Sequence, residues 1–132
     1  MNDYDKIEYW VELAKYDMET AKVLMNNKKY LYFGFMCHQT IEKILKAVYV
    51  KKIKAMPPYI HGLKKIARES KIYDEFSEEQ ILLLATLEPL NIEGRYPTVK
   101  QEIYNSLDKE VCEKLVKDTE ELMIWIKNKL DS

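Results

Sequence analysis

A chain of 132 residues has room for one hydrophobic core that needs neither disulfides nor a metal. Hydrophobic residues at 47% and charged residues at 33% exclude a disordered chain, and 3 Gly with 4 Pro are too few for the turns of a sandwich or barrel. A formal net charge of −1 excludes a global positive field, though not a local patch.

From Asp3 to about Asn27 the apolar residues Ile7, Trp10, Val11, Ala14, Met18, Ala21, Leu24 and Met25 recur at gaps of three and four, which draws one stripe on a helix. Asp3 is expected to cap this helix and the pair Asn26-Asn27 to stop it. A second stripe, Phe33, Gly34, Cys37, Ile41, Ile44, Leu45 and Val48, predicts a helix ending near Lys54, ahead of Pro57-Pro58. A shorter helix is expected from about His61 to Ser70. Ser77 and Gln80 have capping-box spacing, and the helix they open should end or kink at Pro89. Gly94-Arg95-Tyr96-Pro97 reads as loop. Asp108 should cap a last helix with the stripe Cys112, Leu115, Val116, Thr119, Leu122, Met123, Ile126 and Leu130. No segment alternates strictly, so no strand is expected. One-sided stripes must cover one another, which makes the fold all-α: an up-and-down antiparallel bundle of four or five helices, in a single domain over residues 1–132.

No apolar run approaches the roughly 20 residues of a membrane span, and no leader pattern opens the chain. A cytoplasmic protein with no membrane contact is expected, with Cys37 and Cys112 as buried thiols.

The small net charge conceals segregation. Lys43, Lys46, Lys51, Lys52, Lys54, Lys64, Lys65 and Arg68 follow one another with no acid between them, and the stretch from Glu69 to Glu93 is predominantly acidic. This basic run reads either as a patch for RNA, nucleotide phosphate or an acidic partner, or as a solvated face neutralised across the fold. Most catalytic chemistry lacks its residues: there is no Cys/His metal spacing, no phosphate-cradling Gly loop and no nucleophile-elbow serine. No metal and no cofactor is expected. Asp17, His38 and Glu42 lie near the apolar stripes, where a carboxylate needs a charge partner or several donors. Asp17 and His38 either tie helices together, or His38, Glu42 and Arg95 floor a ligand cleft. His61 is expected to serve the start of the third helix.

Trp10, Ala14, Asp17 and Ala21 resemble the opening signature of HEPN domains. Cys37-His38-Gln39 with Glu42-Lys43 and Leu45-Lys46-Ala47 is similar to the second-helix signature of that family, and His61-Gly62-Leu63 and Arg95-Tyr96-Pro97 match two further marks. The resemblance spans residues 7 to 128. It implies a helical bundle, a homodimer, and a working partner in a minimal nucleotidyltransferase, as in toxin–antitoxin or defence-type pairs. Many such domains are metal-independent ribonucleases whose signature is an arginine followed, after four to six residues, by a histidine; others bind nucleotide or RNA without cutting.

Here the only arginines, Arg68 and Arg95, follow both histidines, so that signature is absent. The expected function is therefore a non-catalytic module that binds nucleotide, RNA or the nucleotidyltransferase. Its cleft would include Arg95 to grip phosphate, Tyr96 to stack on a base, and His38, Glu42 and Lys46. The alternative is a divergent metal-independent ribonuclease, with Arg95 as the cation and His38 or His61 as the base.

Overall fold

A computed structural model describes residues 2–131, and among these the only regular structure is helical. Helix α1 (Asp3–Asn26) and helix α2 (Tyr30–Ile53) run 24 residues each. Both are thus about 36 Å long, and the three-residue connection between them forces an antiparallel hairpin. The cap of α1 is Asn2 rather than Asp3: the Asn2 side chain accepts from the Asp5 amide at 2.8 Å, leaving Asp3 and Asp5 in the first turn to complement the helix dipole.

The end of α1 is a Schellman motif on a lysine. Lys28 takes φ 60°, and the Lys28 and Lys29 amides bond back to the Met25 and Leu24 carbonyls. The same motif closes α3 (Leu63–Glu69), where Lys71 at φ 64° and Ile72 bond to the Arg68 and Ala67 carbonyls. Helix α3 is two residues shorter at its start than the spacing suggests. His61, the first residue after the Pro-Pro-Tyr-Ile turn, is drawn to Glu42 and His38, and Gly62 is the N-cap.

The capping box forms as expected: Ser77 Oγ accepts from the Gln80 amide at 3.1 Å and Gln80 Oε1 from the Ser77 amide at 2.9 Å, opening α4 (Glu78–Leu87). Pro89 sits in a 3-10 turn, Glu88–Leu90, that ends the helix. Sequence reasoning assigned no helix between the Arg95 loop and Asp108, yet α5 (Pro97–Ser106) occupies it, with Pro97 as its first residue. Asp108 caps α6 (Lys109–Lys127) through the Val111 amide at 2.8 Å.

Helix α2 is the centre of the bundle. It packs on α1, α3, α4, α5 and α6, and buries residues around most of its circumference. Phe33, Ile41, Ile44, Leu45, Leu63, Ile66, Leu84, Leu87 and Ile126 form the fully enclosed middle of the core. Gly34 permits one close approach: a Cβ there would stand 3.1 Å from Leu107 Cδ1 and 3.4 Å from Leu90 Cδ1. Its bare backbone is what lets the segments flanking α5 lie against α2.

Candidate functional site

Three polar residues at four-residue spacing on α2, His38, Glu42 and Lys46, point into the bundle and are at most 5% exposed. Charges so deep must be matched, and these are. Glu42 Oε1 accepts from His61 Nδ1 at 2.9 Å and Oε2 from Lys46 Nζ at 3.1 Å. The Lys46 ammonium also lies 5.5 Å from the centroid of the Trp10 ring on α1. His38 Nε2 stands 3.1 Å from the His61 carbonyl oxygen. One continuous network thus joins α1, α2 and the segment entering α3.

Burial holds the His38 pKa below its usual 6.5, against the opposing pull of Gln39, Glu42 and the His61 carbonyl. The neutral ring has one N–H, which the His61 carbonyl engages. Nδ1 lies 3.1 Å from Gln39 Oε1, an acceptor facing an acceptor in that tautomer. A half-turn of the Gln39 amide satisfies the neutral ring, and the orientation with oxygen inward satisfies the imidazolium.

A second tie, Lys43 Nζ to Asp17 Oδ2 at 2.9 Å, joins α1 to α2 and is mostly buried. Lys43 is therefore committed to Asp17 within the fold. Of the remaining basic residues, Lys51, Lys52, Lys54, Lys65 and Arg68 are exposed, and Lys64 is partly so. Arg68 lies over the Tyr73 ring at 4.3 Å. Beside these cations in the α2–α3 connection stand Met56 and Tyr59, 78% and 87% exposed. Tyr59 meets the partly exposed His61 edge-on at 5.1 Å between centroids. The acidic stretch folds back only in part: a Glu88 oxygen accepts from the Lys64 amide at 2.8 Å, and Glu75 pairs with Lys129.

The five residues expected to line one cleft divide between two environments. His38, Glu42 and Lys46 are closed on one another and on His61. Arg95 and Tyr96 stand exposed in the loop before α5, with Arg95 Nε donating to the Asn91 carbonyl at 3.1 Å. Sequence reasoning missed that Trp10, Gln39 and His61 belong to the buried network. The His61 signal was the Pro57-Pro58 turn, which returns the chain onto α2. Among the described residues no group of three His, Cys, Asp or Glu side chains is arranged to hold a metal ion. Burial pushes the Cys37 thiol up to about 12 and the Cys112 thiol to about 11, so neither is a nucleophile near neutral pH. No helix among the described residues is long and apolar enough to cross a membrane.

Comparison with known proteins agrees with this architecture. The family model described as HEPN domain matches residues 7–129. A protein of Methanocaldococcus jannaschii described as "Putative toxin MJ1304" is 30% identical over 128 residues, covering 90% of this chain and 84% of that one. The crystal structure of TT1696 from Thermus thermophilus superposes with a TM-score of 0.78 at 16% identity, covering 98% of this chain and 99% of the other, which makes it a likeness of fold.

Proposed function

The chain belongs to the HEPN domain family, and on that premise we propose that it is a cytoplasmic, toxin–antitoxin-type HEPN module that binds single-stranded RNA or nucleotide without cutting it. It acts as one domain over residues 1–132, as a homodimer, beside a minimal nucleotidyltransferase. The observation that carries the RNA reading is the cationic lobe around the α2–α3 connection. Lys51, Lys52, Lys54 and Lys65 are exposed there together with Tyr59, and no acid interrupts the sequence between Lys43 and Arg68. Lysines supply phosphate contacts and their salt dependence, while an exposed ring supplies a stacking platform. Arg95 and Tyr96 offer a second cation–ring pair for phosphate and base. The buried His38–Glu42–Lys46 network acts as scaffold, holding the α2–α3 connection against α2. The absence of the Arg-x(4–6)-His signature supports the non-cutting part.

The test is fluorescence anisotropy with a labelled 12-residue RNA in EDTA. Lys51→Glu/Lys52→Glu/Lys65→Glu is expected to weaken binding at least tenfold and flatten its salt dependence, and Tyr59→Ala to weaken it by about five- to a hundredfold. Equal affinity for the triple variant and the parent overturns the RNA reading. Arg95→Ala, tested alike, decides whether the second pair shares the site. Co-expression with the nucleotidyltransferase, read by co-purification, tests the pairing separately.

One observation favours a second reading, metal-independent ribonuclease activity. A buried carboxylate accepting from His61 Nδ1 fixes the tautomer in which Nε2 is the basic nitrogen, on a partly exposed ring beside the cationic lobe. Such a base takes a 2′-hydroxyl proton, and neighbouring cations stabilise the phosphorane charge. Cleavage of RNA in EDTA that His61→Ala abolishes, with growth arrest on induction, would establish it. Intact RNA after long incubation would remove it.

A further inference from the structure

Helices α4 and α6 do not close on each other along their outer edges. Between them lies a groove of about 820 Å3, floored by Leu115 and Leu122 and flanked by Leu82, Val111 and Trp125. Leu82 is 67% exposed and Val111 43%, unusual for aliphatic side chains that face a neighbouring helix. From Val111 to Trp125 the groove follows fifteen residues of α6, roughly 21 Å at the helical rise. That length accommodates about four turns of a third helix, the geometry by which amphipathic helices dock in grooves.

Acids outnumber bases along this groove. Glu79 projects from α4, and Asp118 and Glu121 from α6. The lysine that lines it, Lys114, is bonded to Asp118. The hydrogen bond to Asp118, and to a lesser degree the charges of Glu79 and Glu121, hold the Lys114 ammonium above the ordinary lysine pKa. The chain itself offers no basic amphipathic helix as occupant: Met56 and Tyr59 of the cationic lobe lie in the irregular connection between α2 and α3. On α1 the exposed Tyr9, Tyr16 and Val23 flank a half-buried Leu13, and Glu8, Glu12 and Glu19 outnumber Lys15 there, so that face would set acid mostly against acid.

We propose that the α4–α6 groove docks a basic amphipathic helix of a partner protein, its apolar stripe seated on Leu82, Val111 and Trp125 and its lysines or arginines set against Glu79 and Glu121. The inference rests on the pairing part of the reading above, to which it adds a surface and a partner chemistry. It uses none of the residues of the cationic lobe.

The probe is a synthetic 14-residue helix of leucine and lysine, with leucines at i, i+3, i+4 and i+7. Trp125 reports binding in a Trp10→Phe background, since these are the chain's two tryptophans. Saturable binding with a shift of Trp125 emission is expected, weakened at least tenfold by Leu82→Lys and by Glu79→Lys/Glu121→Lys. Glu12→Lys on α1 should leave it unchanged, and a leucine/glutamate peptide of the same pattern should not bind. Affinity equal in Leu82→Lys and the parent, or lost only in Glu12→Lys, overturns the proposal. Sedimentation distinguishes a second copy as occupant: a dimer that Leu82→Lys dissociates would also overturn it. A nucleotidyltransferase that fails to co-purify while the peptide still binds the groove refutes that partner and leaves the surface standing.

Discussion

Both oxygens of Glu42 are occupied, one by His61 and one by Lys46, at 3% side-chain exposure. Replacing Lys46 with methionine keeps the stem's volume and removes the ammonium from that carboxylate. Breaking a buried pair from one side costs about 3–5 kcal/mol, and the His61 bond that remains on Glu42 keeps the loss toward the lower end of that range. Lys46→Met should lose that much in urea unfolding, and Glu42→Gln in the same chain should recover most of it by removing the stranded charge. His38 gives a pH signature. Its folded pKa lies below 6.5, so the unfolded chain binds the proton first on acidification. Its contribution is full above pH 6.5 and is lost as pH falls below that value toward the folded pKa. Urea midpoints at about pH 7.5, 6.5 and 5.5 should fall more steeply in the parent than in His38→Gln. The four-residue spacing of His38, Glu42 and Lys46 was legible in the sequence, as was the need of buried carboxylates for partners. That Glu42 is shared with His61 was not, because the path of the Pro57-Pro58 connection sets it and no local pattern encodes it.

Helices whose ends carry their own chemistry were readable. Ser77 with Gln80 and Asp108 with Val111 are caps written into three or four consecutive residues. Helix α5 was not readable, since its only aliphatic positions are Val99 and Ile103, too few to make a stripe, and Pro97 looks the same closing a loop or opening a helix. The structure explains that faint signal: α5 has no side-chain cap at Tyr96 and buries no residue of its own. It is held by Ile103, partly buried against the core, and by Leu107 beyond its end, lodged near Gly34. Amide exchange should find α5 the least protected of the long helical segments, well ahead of α2 and α6. Protection in α5 equal to that of α6 would contradict this account.

Across the whole molecule, the basic run read from the sequence persists in three dimensions as an exposed lysine lobe, whereas the acids of the groove come from both the acidic stretch, in Glu79, and α6, in Asp118 and Glu121. Folding redistributed individual members. Lys43 went to Asp17, Lys46 to Glu42, and Arg68 onto Tyr73, each an interaction between residues of different segments or on a buried face, which a linear tally of charge does not reveal.

The central place of α2 also sets the order in which the molecule becomes viable. A nascent chain emerges N-terminus first, so α1 and α2 form their hairpin early, from contacts close in sequence. One flank of α2 must then wait, apolar and bare, until translation reaches α6, whose Cys112, Thr119, Leu122 and Ile126 turn inward. A message broken at the codon for Asp108 should therefore yield an aggregating fragment, found in the pellet on centrifugation, whereas the full chain stays in the supernatant. Helix α6 thus guards the α1–α2 hairpin, and a chain broken ahead of it leaves bare the flank of α2 that α6 covers.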